Sequence, residues 1–267
     1  MIRLIALDLD GTLLGPDNRV SQEDSDAVIA ARDKGIQIVL NTARWYGVAK
    51  YTSLRLGLTT PIICMSGAHV KEPDNGAELL HLKIPTEIAR EIATLCDENG
   101  YETYTTVDGV TYMRTPRVDI DPVRLPKDMR LAREHAEHIT KPATGFVVFG
   151  EEAVSALLDK FGEKYGDTLA FPVGTGEQKY VTITGGPADK GTALRLVCEH
   201  LGVPLEEAMA VGDAEPDLDM FEVAATGIAM GNAVDRVKER ADAVAPSNTE
   251  SGVAWAIKKF ALEAWST

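Results

Sequence analysis

The N-terminal run Ile2-Arg3-Leu4-Ile5-Ala6-Leu7 breaks off into Asp8-Leu9-Asp10-Gly11-Thr12, two carboxylates one residue apart followed by a turn signal. A short, branched, apolar run stopped in this way predicts a strand buried on both faces, as in a parallel sheet. Open α/β sheets bind ligands beyond the carboxyl ends of their strands, so Asp8 and Asp10 fall where chemistry is expected. Two carboxylates in such a place are costly unless a cation or a proton compensates them. An ordinary Asp-Gly turn is the plain alternative. A calcium loop counted from Asp8 is excluded, because Thr12, Leu13 and Arg19 stand where it needs Asp or Asn, Gly and Glu.

The rest of the chain extends the pattern. Ser21 and Asp24 form a capping box ahead of a helix that Gly35 closes, and residues 36–40 form a second strand. Together with the first strand this is a βαβ unit, with a right-handed crossover. That strand ends in Asn41-Thr42-Ala43-Arg44, a helix follows over residues 45–56, and residues 61–65 form a third strand ending in Ser66-Gly67-Ala68. Asp74-Asn75-Gly76 marks a hairpin.

The pattern changes after residue 84. A helix follows Pro85-Thr86, a hairpin turns at Asp108-Gly109, and Pro116, Pro122 and Pro126 mark an irregular stretch. Strands over residues 146–149, 168–173 and 179–184 and a helix over 151–165 complete a small α+β layer. Alternation of strand and helix resumes after Gly185-Gly186-Pro187. The expected architecture is therefore α/β: a Rossmann-like parallel sheet core from residues 1–83 and 185–267, with an inserted α+β domain over residues 84–184.

Composition limits the function classes. A formal net charge of −14 over 267 residues argues against nucleic-acid or anionic-membrane partners. Cys64, Cys96 and Cys198 are scattered and odd in number, which points to buried thiols in a reducing compartment. With no signal-peptide pattern and no run of membrane-span length, a cytoplasmic location is expected.

Polar groups gather at the predicted strand ends: Asp8 and Asp10, Thr42, and Asp213 with Asp217 four residues on, while Lys190 stands in the first turn of a helix. Carboxylates without a His or Cys cluster suit a hard cation, Mg2+ above all. Such a set suits phosphoryl transfer: one carboxylate attacks phosphorus and a neighbouring one moves the proton. Each residue also has a plain reading. Thr42 alone suggests a helix cap, Lys190 an exposed lysine, and Asp213 and Asp217 a solvated turn. His135 and His138 share a helical face by spacing but lack a third ligand.

Asp8-Leu9-Asp10-Gly11-Thr12-Leu13-Leu14, Thr42-Ala43-Arg44, Lys190-Gly191-Thr192-Ala193-Leu194 and Gly212-Asp213 with Asp217 resemble, in order, the four motifs of haloacid-dehalogenase-superfamily phosphatases. The insertion between the second and third, and Ala229-Met230-Gly231-Asn232-Ala233, resemble the Cof-like subfamily with its α/β cap. The resemblance implies that Asp8 is the nucleophile and forms an aspartyl-phosphate, with Asp10 as general acid/base. It implies phosphoryl binding by Thr42 and Lys190, and Mg2+ held by Asp8, the Asp10 carbonyl and Asp213, with Asp217 in support; Arg44, which follows Thr42, and Asn232 are candidate substrate contacts. The cap would close over the site and choose the substrate. Three positions depart from the family pattern: Pro216 stands for Asn in the fourth motif, Ala43 for Gly in the second, and Ser66 for Asn after the third strand.

The expected function is Mg2+-dependent hydrolysis of small phosphorylated metabolites, sugar phosphates foremost, by a monomer or homodimer. A phosphomutase or phosphotransferase using the same aspartyl-phosphate is the alternative within enzymes; a non-catalytic phospho-ligand binder is the alternative outside them. Cap residues 174–177 are candidates to reach the substrate.

Overall fold

The computed structural model describes residues 1–116, 125–175 and 178–263. Its elements run β1 (Leu4–Leu7), α1 (Gln22–Asp33), β2 (Gln37–Leu40), α2 (Tyr46–Arg55), β3 (Ile62–Cys64), β4 (His69–Lys71) and β5 (Glu78–His81). Next come α3 (Thr86–Asn99), β6 (Thr103–Val107), β7 (Val110–Arg114), β8 (Met129–Leu131), β9 (Ala143–Phe149), α4 (Glu151–Leu157), β10 (Leu169–Ala170), β11 (Val173–Thr175) and β12 (Lys179–Gly185). The chain then continues through α5 (Lys190–Leu201), β13 (Ala208–Gly212), α6 (Leu218–Val223), β14 (Thr226–Ala229), α7 (Asp235–Lys238), β15 (Ala243–Val244) and α8 (Gly252–Ile257). Two compact units result, Met1–Leu80 with Asp189–Thr267, and His81–Ala188. No helix among the described residues is long and apolar enough to cross a membrane.

The first unit is built on a five-stranded sheet in the order β15-β14-β13-β1-β2, parallel throughout. Leu4, Ile5, Ala6 and Leu7 are all fully buried, as a central strand covered on both faces requires. From β1 the chain goes one way through α1 to β2, while β13, from the second half of the chain, pairs on the other side. The strand order therefore reverses at β1, and the crevice such a reversal opens lies at its carboxyl end, where Asp8 begins. Ser21 caps α1 by accepting from the Asp24 N–H at 3.0 Å. Buried Asp24 in turn accepts from Ala254 N–H at 2.8 Å, tying α1 to α8.

The strand expected over residues 61–65 is the shorter β3, and it meets β2 only at the parallel bridge between Asn41 and Ile63. It otherwise pairs antiparallel with β4 in a separate three-stranded sheet, β3-β4-β5. The tight turn at residues 65–68 allows this by returning the chain beside β3, and the turn at 74–76 then leads from β4 into β5.

The second unit is a sheet in the order β10-β12-β9-β6-β7-β8, with β11 also on β12. Among the described residues, only the β7–β8 pair of this sheet is parallel. Asp108 and Gly109 both take positive φ, 52° and 79°, which suits a two-residue hairpin turn between β6 and β7. Ile92, Cys96, Phe146, Val148, Val154, Phe161 and Ile183 belong to one apolar cluster between helices and sheet. The single strand expected over 168–173 is instead two short ones, β10 and β11. Pro172, between them, has no N–H for a ladder and gives only its carbonyl, to Thr182 N–H at 2.9 Å. The helix expected over 151–165 passes through a wider π turn at Leu158–Gly162. His135 and His138 do not share a helical face: residues 136–138 form a single 3-10 turn, in which His138 stacks on Tyr112 with centroids 4.0 Å apart. Pro122, within the expected irregular stretch, and residues 176–177 lie outside the described residues.

Candidate active site

The site grows from the level ends of β1, β2 and β13. Leu7 pairs with Leu40 on one side and Val211 on the other, so Asp8 emerges beside Asn41 and Gly212. Its N–H still donates to the Val211 carbonyl at 3.0 Å, fixing where its side chain starts. Lys190, the first residue of α5, sends its Nζ to Asp8 Oδ1 and to Asp217 Oδ1, both at 2.6 Å. Asp189 caps that helix by accepting from Thr192 N–H at 2.6 Å. The fully buried Asn41 donates its side-chain amide to the Lys190 carbonyl at 3.0 Å, holding the helix start against β2.

Asp217 is fully buried, and both its oxygens are engaged. Besides Lys190, it accepts from the N–H groups of Asp213 and Ala214 at 2.9 Å each. The solvated-turn reading of Asp217 therefore falls. Pro216 sits in the first turn of the short helix that follows Ala214, where a fixed φ and a missing N–H are tolerated, so its replacement of Asn leaves this arrangement whole. Asp213 accepts from the Thr12 hydroxyl at 2.9 Å. Gly11 passes close beneath the Asp213 carboxylate at φ 78°, and a Cβ there would collide with it.

Burial pushes the Asp8 carboxyl well up; Lys190 pulls it back, and the charges of Asp217, Asp213 and Asp10 add to burial. Asp213 is pushed up to about 7, chiefly by burial and then by Asp217. Burial opposes the Lys190 ammonium, yet the carboxylates of Asp217 and Asp8 outweigh it and hold its pKa above the ordinary value. Ligand oxygens of Asp8, Asp213 and Asp217 all lie within 4.8 Å of one another. Three carboxylates around one ammonium leave two negative charges uncompensated. The donors are all hard oxygens, and that charge and chemistry fit a divalent cation such as Mg2+. Asp8 and Asp213 have oxygens for it, whereas Asp217 is committed to Lys190 and two amides.

Thr42 is buried but caps no helix, since α2 starts only at Tyr46. Its hydroxyl accepts from Arg44 N–H at 3.1 Å, which leaves its own proton to donate. Met65 and Ser66 both adopt left-handed φ, 50° and 51°. Strain of this kind concentrates at functional sites, at about 1–3 kcal/mol per residue. Here it aims the Met65 and Ser66 N–H groups at the carbonyls of Arg44 and Thr42, at 3.0 and 3.1 Å.

Two expected substrate contacts are engaged within the protein. The Arg44 guanidinium pairs with both oxygens of Asp10, with Nε at 2.7 Å from Oδ2. Asn232 donates to the Gly11 carbonyl at 2.8 Å and accepts from Asn248 N–H at 2.9 Å, bracing the turn after Asp10. Sequence reasoning gave no part to Thr12, Asn41 or Asn248. Thr12 lay within the first motif and Asn41 directly before the second, so closeness to a motif was the available signal; Asn248 had none.

The chain matches the family model of the haloacid dehalogenase-like hydrolases over residues 5–257. It is 27% identical to the 5-amino-6-(5-phospho-D-ribitylamino)uracil phosphatase YitU of Bacillus subtilis, covering 96% of this chain and 97% of that protein. It is 29% identical to the pyridoxal phosphate phosphatase YbhA of Escherichia coli, covering 94% and 96%. A solved structure of a haloacid dehalogenase-like hydrolase from B. subtilis superposes with a TM-score of 0.82 at 27% identity, over 97% of this chain and all of that one. Family, fold and the strand-end carboxylates agree: this chain is an enzyme of the haloacid dehalogenase-like hydrolase family, in its Cof-like branch.

Proposed function

We propose that this protein is a Mg2+-dependent phosphatase of small phosphorylated metabolites, with sugar phosphates the expected class and an aspartyl-phosphate on Asp8 as intermediate. The observation that carries this reading is the buried Lys190 bridging Asp8 and Asp217, with Asp213 completing the carboxylate cluster. Its relatives YitU and YbhA are named for two different phosphorylated metabolites, which supports the substrate class rather than one compound. The choice among substrates is assigned to the inserted unit.

Asp8, Asp213 and the Asp10 carbonyl would hold Mg2+, which screens the repulsion between a carboxylate nucleophile and phosphoryl oxygens. Asp217 acts through Lys190 and through the loop it pins. Lys190 and the Thr42 hydroxyl orient the transferring group. An Asp8 oxygen forms the new bond to phosphorus as the ester P–O bond breaks, and Asp10 gives the leaving oxygen its proton. Water then attacks phosphorus, Asp10 takes its proton, and Asp8 is released with inorganic phosphate.

The test is release of inorganic phosphate from a panel of sugar and other metabolite phosphates, with and without Mg2+. Turnover that requires Mg2+ and disappears in Asp8→Asn is expected. Turnover that survives in Asp8→Asn, or phosphate passed to a second hydroxyl rather than to water, overturns the reading.

A further inference from the structure

The pairing of Arg44 gives it a part beyond substrate contact. Its guanidinium meets both oxygens of Asp10, through Nε at 2.7 Å and through Nη2, and Nη2 also donates to Asn18 Oδ1. A two-point fork of this kind fixes the plane of a carboxylate, which a single ammonium cannot do. Asp10 needs such a hold, for its side chain is 45% exposed, while Arg44 is more enclosed at 23%. The fork itself is rigidly mounted. Arg44 N–H donates to Thr42 Oγ1 at 3.1 Å and its carbonyl accepts from Met65 N–H at 3.0 Å. Asn18 is presented at φ 58° by a tight loop in which Gly15 N–H and Asn18 N–H donate to Arg19 and Gly15 carbonyls, both at 2.9 Å.

We infer that Arg44 is a positioning residue that holds the Asp10 carboxylate in place as the base for hydrolysis of the aspartyl-phosphate. The two-point contact in the structure suits that half of the reaction, in which both oxygens of the base are free to accept. There the water oxygen forms a bond to phosphorus, one water proton passes to Asp10, and the bond from phosphorus to Asp8 breaks. In the first half Asp10 carries a proton, and the fork can keep only one of its two bonds to the carboxyl oxygens. The inference rests on the aspartyl-phosphate reading above and adds to it which residue limits the second step.

The experiment compares wild type, Arg44→Ala, Arg44→Lys, Asn18→Ala and Asp10→Asn in Mg2+ with p-nitrophenyl phosphate, whose leaving group needs no proton. In Arg44→Ala we expect a stoichiometric burst of nitrophenolate, trapped phosphoenzyme and a kcat lower by about 10- to 100-fold. The specificity constant kcat/KM and inhibition by inorganic phosphate should stay within about threefold of wild type, because formation of the intermediate and anion binding do not use the fork. Arg44→Lys should recover part of the loss. Adding Arg44→Ala to Asp10→Asn should cost nothing further, a coupling that mere loss of structure would not give. Asn18→Ala, which removes only the lesser partner, should give the same pattern at smaller size and serves if Arg44→Ala does not fold. A raised KM with weakened phosphate inhibition and no burst would instead make Arg44 a substrate contact and overturn the inference. A wild type without Mg2+-dependent hydrolysis overturns the phosphatase reading as well, whereas an active wild type with unchanged kcat in Arg44→Ala overturns this inference alone.

Discussion

The two units differ in whether they bury charged side chains. Among the described residues, every buried Asp, Glu, Lys or Arg belongs to the unit with the parallel sheet: Asp8, Asp24, Lys190 and Asp217. The inserted unit buries threonines, Thr103, Thr105, Thr111, Thr144, Thr182 and Thr184, and a single histidine, His135. Burial lowers the His135 pKa to about 4 against the pull of Asp97, so its imidazole is neutral at pH 7. The inserted unit thus follows ordinary packing, in which neutral groups enter the interior and charges stay out. The parallel-sheet unit breaks that rule at the carboxyl ends of its central strands, where the proposed reaction would use the buried charge. Asp24 is the exception that serves the fold, since it joins two helices.

The contrast can be broken by mutation, and the largest effect belongs to Asp8. Asp8→Asn should lower turnover by about 10,000-fold or more, as removal of a nucleophile does. Thermal unfolding should show no loss of stability, because one of several crowded carboxylates is gone. A clear loss of melting temperature would mean that the charge cluster serves the fold rather than the reaction. Next comes Lys190→Met, which leaves Asp8 and Asp217 buried without their shared cation. Denaturant unfolding should register about 3–5 kcal/mol of destabilisation, and an unchanged midpoint would show that the cluster is not held together by charge.

The inserted unit offers a smaller effect with pH. The folded-state pKa of His135, about 4, lies below the ordinary 6.5, so the unfolded chain binds a proton that the folded unit refuses. Stability should be full above pH 6.5 and fall as pH drops toward 4, by about 3 kcal/mol in total. His135→Leu should flatten that window in denaturant melts run at successive pH values; an equal slope in the variant would assign it to other groups. The smallest change is Thr12→Val, which removes one hydrogen bond to Asp213. Mg2+ affinity, read by titration of activity, should fall by about 10-fold with little change in melting temperature. A loss of stability with unchanged Mg2+ affinity would make Thr12 a brace of the fold.

Much of this site was legible because its residues stand at strand ends marked by abrupt turns from apolar to polar. Asp8, Thr42 and Asp213 each follow a short apolar strand, and Lys190 follows a capping Asp189, so chain order alone set out the candidates. The part of Thr42 was not legible, for a Thr before a helix looks the same whether it caps or turns its hydroxyl elsewhere. Nor was that of Arg44: its partner Asp10 lies 34 positions away, and only the folded loops bring a fork to that carboxylate. In the inserted unit, the split of β10 from β11 was hidden because Pro172 interrupts an apolar run without changing its character.

By itself, the sequence determined that a parallel α/β core carries two carboxylates at the end of its first strand and that an α+β segment interrupts it. Periodicity, capping and turn chemistry are local, and they act over a few residues. Tertiary structure decided how the charges are shared. Lys190 is shared between Asp8 and Asp217, Asp217 steers the Asp213 loop, and Asp10 is tied to Arg44. These pairings depend on which strand lies beside which, and strand order is set by long-range packing that no local pattern encodes. The Asp8-Leu9-Asp10 stretch marked where chemistry is proposed; the surrounding fold divided its two carboxylates between a lysine and an arginine.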